Sequence, residues 1–256
     1  DIQFTGKRLG RDFDPSLGFV PRPGVYLFDG SVDNETRLSR GPFRELTHEL
    51  RPTLVTDLSG RWESYRVFMA PINWTFRSGD RVEFNVNPTG ERLVEPFEIA
   101  DGVVIPAGPY HWVRYRFEVG TAQKRRAFTQ VTWWTGKFYD GHLNQLDWEA
   151  TWHPLALLTL ELSGERNAGR LQGGRFTQTL VGTRAQLNVS PDLSVASYVQ
   201  YDTESNELGA NTRLRWTIRP QADVFVVYNH NVRSLEDRWE KDSNQLLVKL
   251  QYAFRF

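Results

Sequence analysis

The chain has 256 residues, with 31 basic side chains set against 31 acidic ones, no cysteine, and 39% hydrophobic residues that include nine Trp, nine Tyr and sixteen Phe. Cancelled charge leaves no global field for nucleic acid or for an anionic surface, and the absence of thiols excludes disulfides and thiolate metal sites. The longest apolar stretch, Leu155-Ala-Leu-Leu-Thr-Leu160, is far short of the ~18 residues of a membrane helix, while one all-β domain of roughly 200–250 residues would account for the length.

Taken in order, the chain opens with Asp1-Ile-Gln-Phe4, which has neither the basic start nor the apolar core of a signal peptide, so an exported protein would begin here as a processed or shortened chain. Residues 1–23 carry turn signals at Asp14-Pro15, Pro21 and Pro23-Gly24 and one short candidate strand, Ile2–Leu9. Beyond them no window has a helical period. Strands are predicted near 25–36, 43–57, 62–77, 81–87, 110–119, 126–136, 143–152, 155–163, 175–189, 193–202, 211–219, 222–229 and 244–256. Membrane barrels usually have an even strand number. Either one of these thirteen is misplaced, or residues 1–9 supply another, or further strands precede them.

The last strand sets the pattern. Phe256, Phe254, Tyr252, Leu250, Val248 and Leu246 alternate with Arg255, Ala253, Gln251, Lys249 and Leu247, a period of two that puts one face out of water. The length exceeds the ~5–6 residues usual in globular strands and suits the ~9–11 of a tilted membrane-crossing strand. As the closing strand it would pair with an N-terminal one. Leu146, Trp148, Ala150 and Trp152 repeat the pattern, as do Leu158, Leu160 and Leu162, then Val82, Phe84 and Val86, then Leu214, Trp216 and Ile218. Leu158, Leu160, Trp148, Val248 and Leu250 are expected to face lipid.

A soluble sandwich or lipocalin also has one apolar face, so the opposite face decides more. Charged groups recur on it at matched depth, as a wet lumen would require. The predicted lining is Arg213, Arg215, Arg219, Arg184, Lys249 and Arg255, countered by Glu83, Asp147 and Glu149. Arg213, Arg215 and Arg219 fall on one face of one strand, where like charges repel unless carboxylates or a bound anion lie between them. They would stitch the wall in the first case and select anions in the second.

Connections are expected to alternate in length. Links at 230–243, 203–210, 164–174, 137–142 and 88–109 read as long, and those at 220–221, 190–192, 153–154, 120–125 and 78–80 as short. Outer-membrane barrels combine short periplasmic turns with longer outside loops. Ser59-Gly60 breaks the alternation. The link 88–109, with Leu93, Val94, Phe97, Ile99, Val103, Val104 and Ile105, is too apolar for a solvated loop, and is expected to fold inward as a plug or over the rim. Aromatics near strand ends (Tyr110, Trp112, Trp133, Trp134, Tyr139, Trp152, Trp216, Tyr228, Trp239) suit the headgroup level. The basic run Lys124-Arg125-Arg126 falls in a short turn, where it is solvated or meets anionic groups.

Catalytic signals are sparse. The histidines at 48, 111, 142, 153 and 230 have no metal-ligand spacing, and no nucleotide, zinc, calcium or nucleophile-elbow motif occurs. His142 could serve a membrane-embedded hydrolase as base, and Asp147 with Glu149 could be an acid/base pair. An ordinary loop histidine and lumen-lining carboxylates are the simpler readings.

Several phrases resemble one family of bacterial outer-membrane barrels of unassigned function, often joined to an N-terminal carbohydrate-binding-like domain of family nine. They are Phe13-Asp-Pro-Ser-Leu-Gly-Phe-Val20, Ser78-Gly-Asp80, Glu91-Arg-Leu-Val-Glu-Pro-Phe-Glu-Ile99, Ile105-Pro-Ala-Gly108 and Gly136-Lys-Phe-Tyr-Asp-Gly141, followed by Gly174-Arg-Phe-Thr177, Gln200-Tyr-Asp202, Asn211-Thr-Arg-Leu-Arg-Trp216, Asp223-Val-Phe-Val-Val-Tyr-Asn229 and Val248-Lys-Leu250. The resemblance implies the C-terminal barrel portion without the binding-like domain, and carries no catalytic residues. The sequence thus predicts an all-β fold in one domain over 1–256: an antiparallel up-and-down transmembrane β-barrel of outer-membrane type, or the C-terminal part of one, with about 12–14 strands. Its expected partners are the bilayer of a Gram-negative-type outer membrane and a small anionic or carbohydrate solute, with no nucleic acid and no cofactor. Channel-type transport is the leading function, with a lipid or glycan hydrolase and a structural barrel with a filled lumen as alternatives.

Overall fold

Backbone hydrogen bonds in the computed structural model are those of strands and turns, and the structure describes residues 1–13, 22–235 and 238–253. The strands are β1 Ile2–Leu9, β2 Val25–Arg37, β3 Phe43–Asp57, β4 Trp62–Phe76, β5 Arg81–Leu93, β6 Phe97–Ala100, β7 Val103–Ile105 and β8 Gly108–Gly120. They continue as β9 Ala127–Phe138, β10 Gly141–Leu155, β11 Leu158–Leu171, β12 Gly174–Ser190, β13 Leu193–Asp202, β14 Glu207–Arg219, β15 Ala222–Leu235 and β16 Arg238–Tyr252. Fourteen of them form one sheet in sequence order from β1 to β16, and β6 pairs only with β7 as a hairpin. Ile2–Leu9 therefore supplies the strand that makes the number even.

Contacts divide the chain into two units: Asp1–Gly120, Thr132–Gln145 and Ala168–Phe176 in the first, Thr121–Val131, Leu146–Asn167 and Thr177–Phe256 in the second. In the first unit the faces sort by polarity in an unusual sense. Along β5 and β8, Glu83, Asn85, Asn87 and Glu118 are buried, while Tyr115, Phe117 and Val119 on the opposite face are open. The sole cluster of buried apolar residues among those described is small and lies around the hairpin: Val103, Ile105 and Leu171, backed by Leu93, Ile99, Tyr110, Phe138 and Phe176. Segment 94–107 thus docks through its apolar residues, as its composition requires. Gly173 makes room for it, since a Cβ there would stand 2.7 Å from the Val104 carbonyl oxygen.

In the second unit the register of β12–β16 holds Arg184, Tyr198, Asn211, Asn229 and Gln245 in one cross-strand row. Leu246, Val248, Leu250 and Tyr252 on β16 lie on the other face and are exposed.

Two expectations are corrected. The connections do not alternate between long and short: 139–140, 172–173 and 203–206 are short turns, and β15 and β16 leave only 236–237 between them. Strands continue where their apolar face stops, because a ladder needs backbone groups and not side-chain polarity. β12 has 17 residues, and β3, β4, β10 and β16 have 15 each. Second, the sheet is not closed: β1 and β16 are its edges, with no ladder joining them among the described residues, and every residue of β16 is exposed. Phe254, Arg255 and Phe256 lie outside the described residues, as does most of the phrase from Phe13 to Val20.

Candidate functional site

Two polar surfaces carry the chemistry, one in each unit. In the first, register sets Glu83 directly opposite Glu118, and Asn85 opposite Arg116. Facing carboxylates repel, and two arginines resolve the conflict. Arg116 reaches Glu83 (Nη1–Oε1 2.8 Å) and also pairs with Glu118. Arg81 pairs with Glu83 and lies 3.7 Å from Glu118. The result is a closed quartet of two cations and two anions. Further donors complete it: Thr132 Oγ1 donates to Glu118 Oε2 (3.0 Å), and Arg116 Nη1 donates to Asn85 Oδ1 (3.0 Å). Arg81 Nε donates to Asn73 Oδ1 (2.9 Å), whose Nδ2 donates to Glu49 Oε1 (2.9 Å). The guanidinium of Arg116 also lies 5.8 Å from the Trp134 ring centre. Charge cancels within this largely buried network, loss of any one member is costly, and the arrangement is suited to holding strands, not a charged ligand.

Near the hairpin, Tyr139 in the 139–140 turn donates from its hydroxyl to Glu91 Oε2 at 2.6 Å. Burial first, then that bond to a carboxylate, push the hydroxyl above its ordinary range. Tyr139 packs edge-on or tilted against Tyr110, Trp112 and Phe138 and so ties β5 to the hairpin's support.

In the second unit a cavity of about 310 Å³ opens on β13–β15, lined by Tyr198, Gln200, Asp202, Glu207, Asn211 and Asn229 and by Gly209 and Asn231. Register builds it as a lattice: Gln200 faces Gly209, Gly209 faces Asn231, and Asn211 faces Tyr198 on one side and Asn229 on the other. Gly182 opposes Gln200 and lets the Tyr198 ring lie down, since a Cβ there would be 2.8 Å from the Tyr198 hydroxyl oxygen. Tyr198 Oη donates to Gln200 Oε1 (2.7 Å), and Asn211 Nδ2 donates to Asn229 Oδ1. Arg233 Nε donates to Glu207 Oε1 (2.7 Å), while Asp202 accepts from Ser205 Oγ (3.0 Å). With Glu207 met by Arg233 and Asp202 by Ser205, the amides, hydroxyls and aromatic ring of the lining suit a small hydroxyl-rich solute.

The predicted lining residues are scattered. Glu83 belongs to the quartet. Arg184 pairs with Glu161 (3.5 Å), its guanidinium 5.7 Å from the Tyr198 ring centre. Arg215 pairs with Asp223 (3.4 Å), whereas Arg213 lies 4.9 Å over the Phe225 ring. A register shift separates Thr217 from Arg219, so strict alternation does not carry Arg219 onto their face. Lys249 opposes Phe225, Asp147 lines a polar cavity with Ser163 and Glu165, and Glu149 is exposed. Arg255 lies outside the described residues. His142 is exposed and has no hydrogen bond to a serine or carboxylate among the described residues, and none of those residues forms a group of three or more His, Asp or Glu fit for a metal.

Sequence reasoning missed Arg81, Arg116 and Glu118. The signal was available in β8, where Arg114, Arg116 and Glu118 alternate with Tyr115, Phe117 and Val119. It also missed Glu207, Gly209 and Asn231, because 203–210 and 230–243 read as loops. Neither protein-family models nor curated proteins give a match to this chain.

Proposed function

We propose that the sheet forms the wall, or the C-terminal part of the wall, of an outer-membrane-type β-barrel whose polar face lines a path for a small hydrophilic solute. One observation carries this reading: Glu83, Asn85, Asn87 and Glu118 are withdrawn from solvent, while Phe117, Val119, Val248, Leu250 and many other apolar side chains are open. In water that arrangement gives up the main drive to fold. In a bilayer it is what a spanning sheet requires, with backbone groups paired along the ladders and an apolar face toward lipid.

Strand length supports the same reading. The apolar face of β16 runs from Tyr252 to Leu246 and then meets Asn244, and that of β11 passes from Leu160 and Leu162 to Arg166 and Arg170. Strands of 15 residues outlast the apolar band and continue into water, where ~9–11 residues would suffice to cross. The two sheet edges cannot stay unpaired in hydrocarbon, so each must meet further strands there. The Gram-negative-type outer membrane is the site such a wall implies.

The amide-lined cavity of the second unit favours an uncharged, hydroxyl-rich solute of carbohydrate type. Liposome swelling with neutral sugars of increasing size, alongside planar-bilayer recording, tests the path. Stepwise conductance and monosaccharide entry are expected, with entry slowed in Asn211→Ala/Asn229→Ala. Full insertion without conductance or swelling would refute the transport reading and leave a filled structural wall. Arg213 rests on the Phe225 ring and pairs with no carboxylate among the described residues, so Arg213→Gln should shift ion selectivity toward cations.

A further inference from the structure

The apolar face of the second unit is not uniform. A concavity of about 450 Å³ opens on it, lined by Ala127, Ala150, Trp152, Leu160 and Leu162 together with Arg125. That volume falls within the roughly 300–1,000 Å³ of small-molecule sites. Its remaining charged lining residue, Glu161, turns to Arg184 at 3.5 Å.

Arg125 belongs to the exposed run Lys124-Arg125-Arg126, which the transport path does not use. The run is held in place. Arg125 N donates to Ala122 O (3.1 Å), His153 N donates to Arg126 O (2.6 Å), and Thr121 N donates to Thr129 O (2.8 Å). Ala122 is itself buried. Arg125 therefore lines the groove from a turn whose backbone is held, with Lys124 and Arg126 exposed on either side of it in the chain.

A flat wall touches a lipid chain on one side. A groove touches it on three, and dispersion contacts add with each neighbour. A basic cluster beside a membrane-embedded segment attracts anionic headgroups. The groove and the cluster together match one amphiphile with an apolar tail and an anionic head. We infer that this groove seats an acyl chain of an anionic phospholipid whose phosphate meets Lys124, Arg125 and Arg126. The inference rests on the membrane reading above and adds a specific lipid site to it.

The test is native mass spectrometry of the folded protein in neutral detergent, offered equal amounts of phosphatidylglycerol and phosphatidylcholine with matched chains. Phosphatidylglycerol should be retained preferentially. Lys124→Gln/Arg125→Gln/Arg126→Gln should remove the preference, at about fivefold per charge, without changing protease protection in phosphatidylcholine vesicles. Ala150→Phe, which fills the groove, should lower retention of both lipids, and Leu162→Trp is the second filling variant should the first misfold. Equal retention of the two lipids by the wild type, or an undiminished preference in the triple variant, overturns the assignment. If the wild type enters vesicles but shows no preference, the groove assignment alone falls. If it does not enter them, the membrane reading falls and the groove with it.

Discussion

At Glu118 a carboxylate is 2% exposed, held between Arg81, Arg116 and the Thr132 hydroxyl. Glu118→Gln removes one anion from the quartet and leaves two guanidinium groups to share Glu83. Breaking a buried pair in this way costs about 3–5 kcal/mol. Denaturant unfolding in micelles should show a loss near the lower end, because Arg81 is 43% exposed and can turn to solvent. Arg116→Met made together with Glu118→Gln should cost less than the two single losses added. Half of this site was legible beforehand. Alternation put Glu83 on the polar face, and the same rule applied to β8 would have put Glu118 there. Which carboxylate faces which depends on cross-strand register, and register is not written in either strand alone.

Among the elements, the strands were legible wherever one face was apolar, and their starts at Val25, Phe43, Trp62 and Leu193 agree with the pattern. Their far ends were not. From Glu207 to Ala210 a glycine and an alanine weaken the contrast between the faces, and from Asn229 to Arg233 Val232 is the one apolar residue, so the period is hard to read while the ladder goes on. That hid part of the amide lattice, because Glu207, Gly209 and Asn231 lie in those extensions. The faces themselves remain open to test: Val248→Arg should cost about 2–4 kcal/mol of stability in a bilayer and Gln251→Arg much less, and equal costs would mean the faces are reversed. The hairpin β6–β7 makes a separate claim. Ile105 has no exposed surface, and truncation of a buried Ile to Ala typically costs about 2–5 kcal/mol. Ile105→Ala should therefore undock the hairpin and speed proteolysis within 94–107, leaving the sheet's circular dichroism unchanged.

At the scale of the molecule, sequence neighbours among the described strands are sheet neighbours, and the β6–β7 hairpin alone steps aside. This meander follows from short connections, which can only join adjacent antiparallel strands. Closure by the last strand was the expectation that failed, and its failure has a physical source. Alternation shows that a strand has two unlike faces but says nothing about which strand lies along its edge. The reversed burial described above also has a calorimetric consequence. Unfolding an ordinary domain wets its hydrocarbon and raises the heat capacity by about 12–15 cal/mol/K per residue. Here the residues that melting would newly hydrate include Glu83, Asn85, Asn87 and Glu118, and hydrating polar groups lowers the heat capacity. Scanning calorimetry of the lipid- or detergent-bound protein should accordingly show a step well below the ordinary one, and a stability curve that stays nearly flat on cooling.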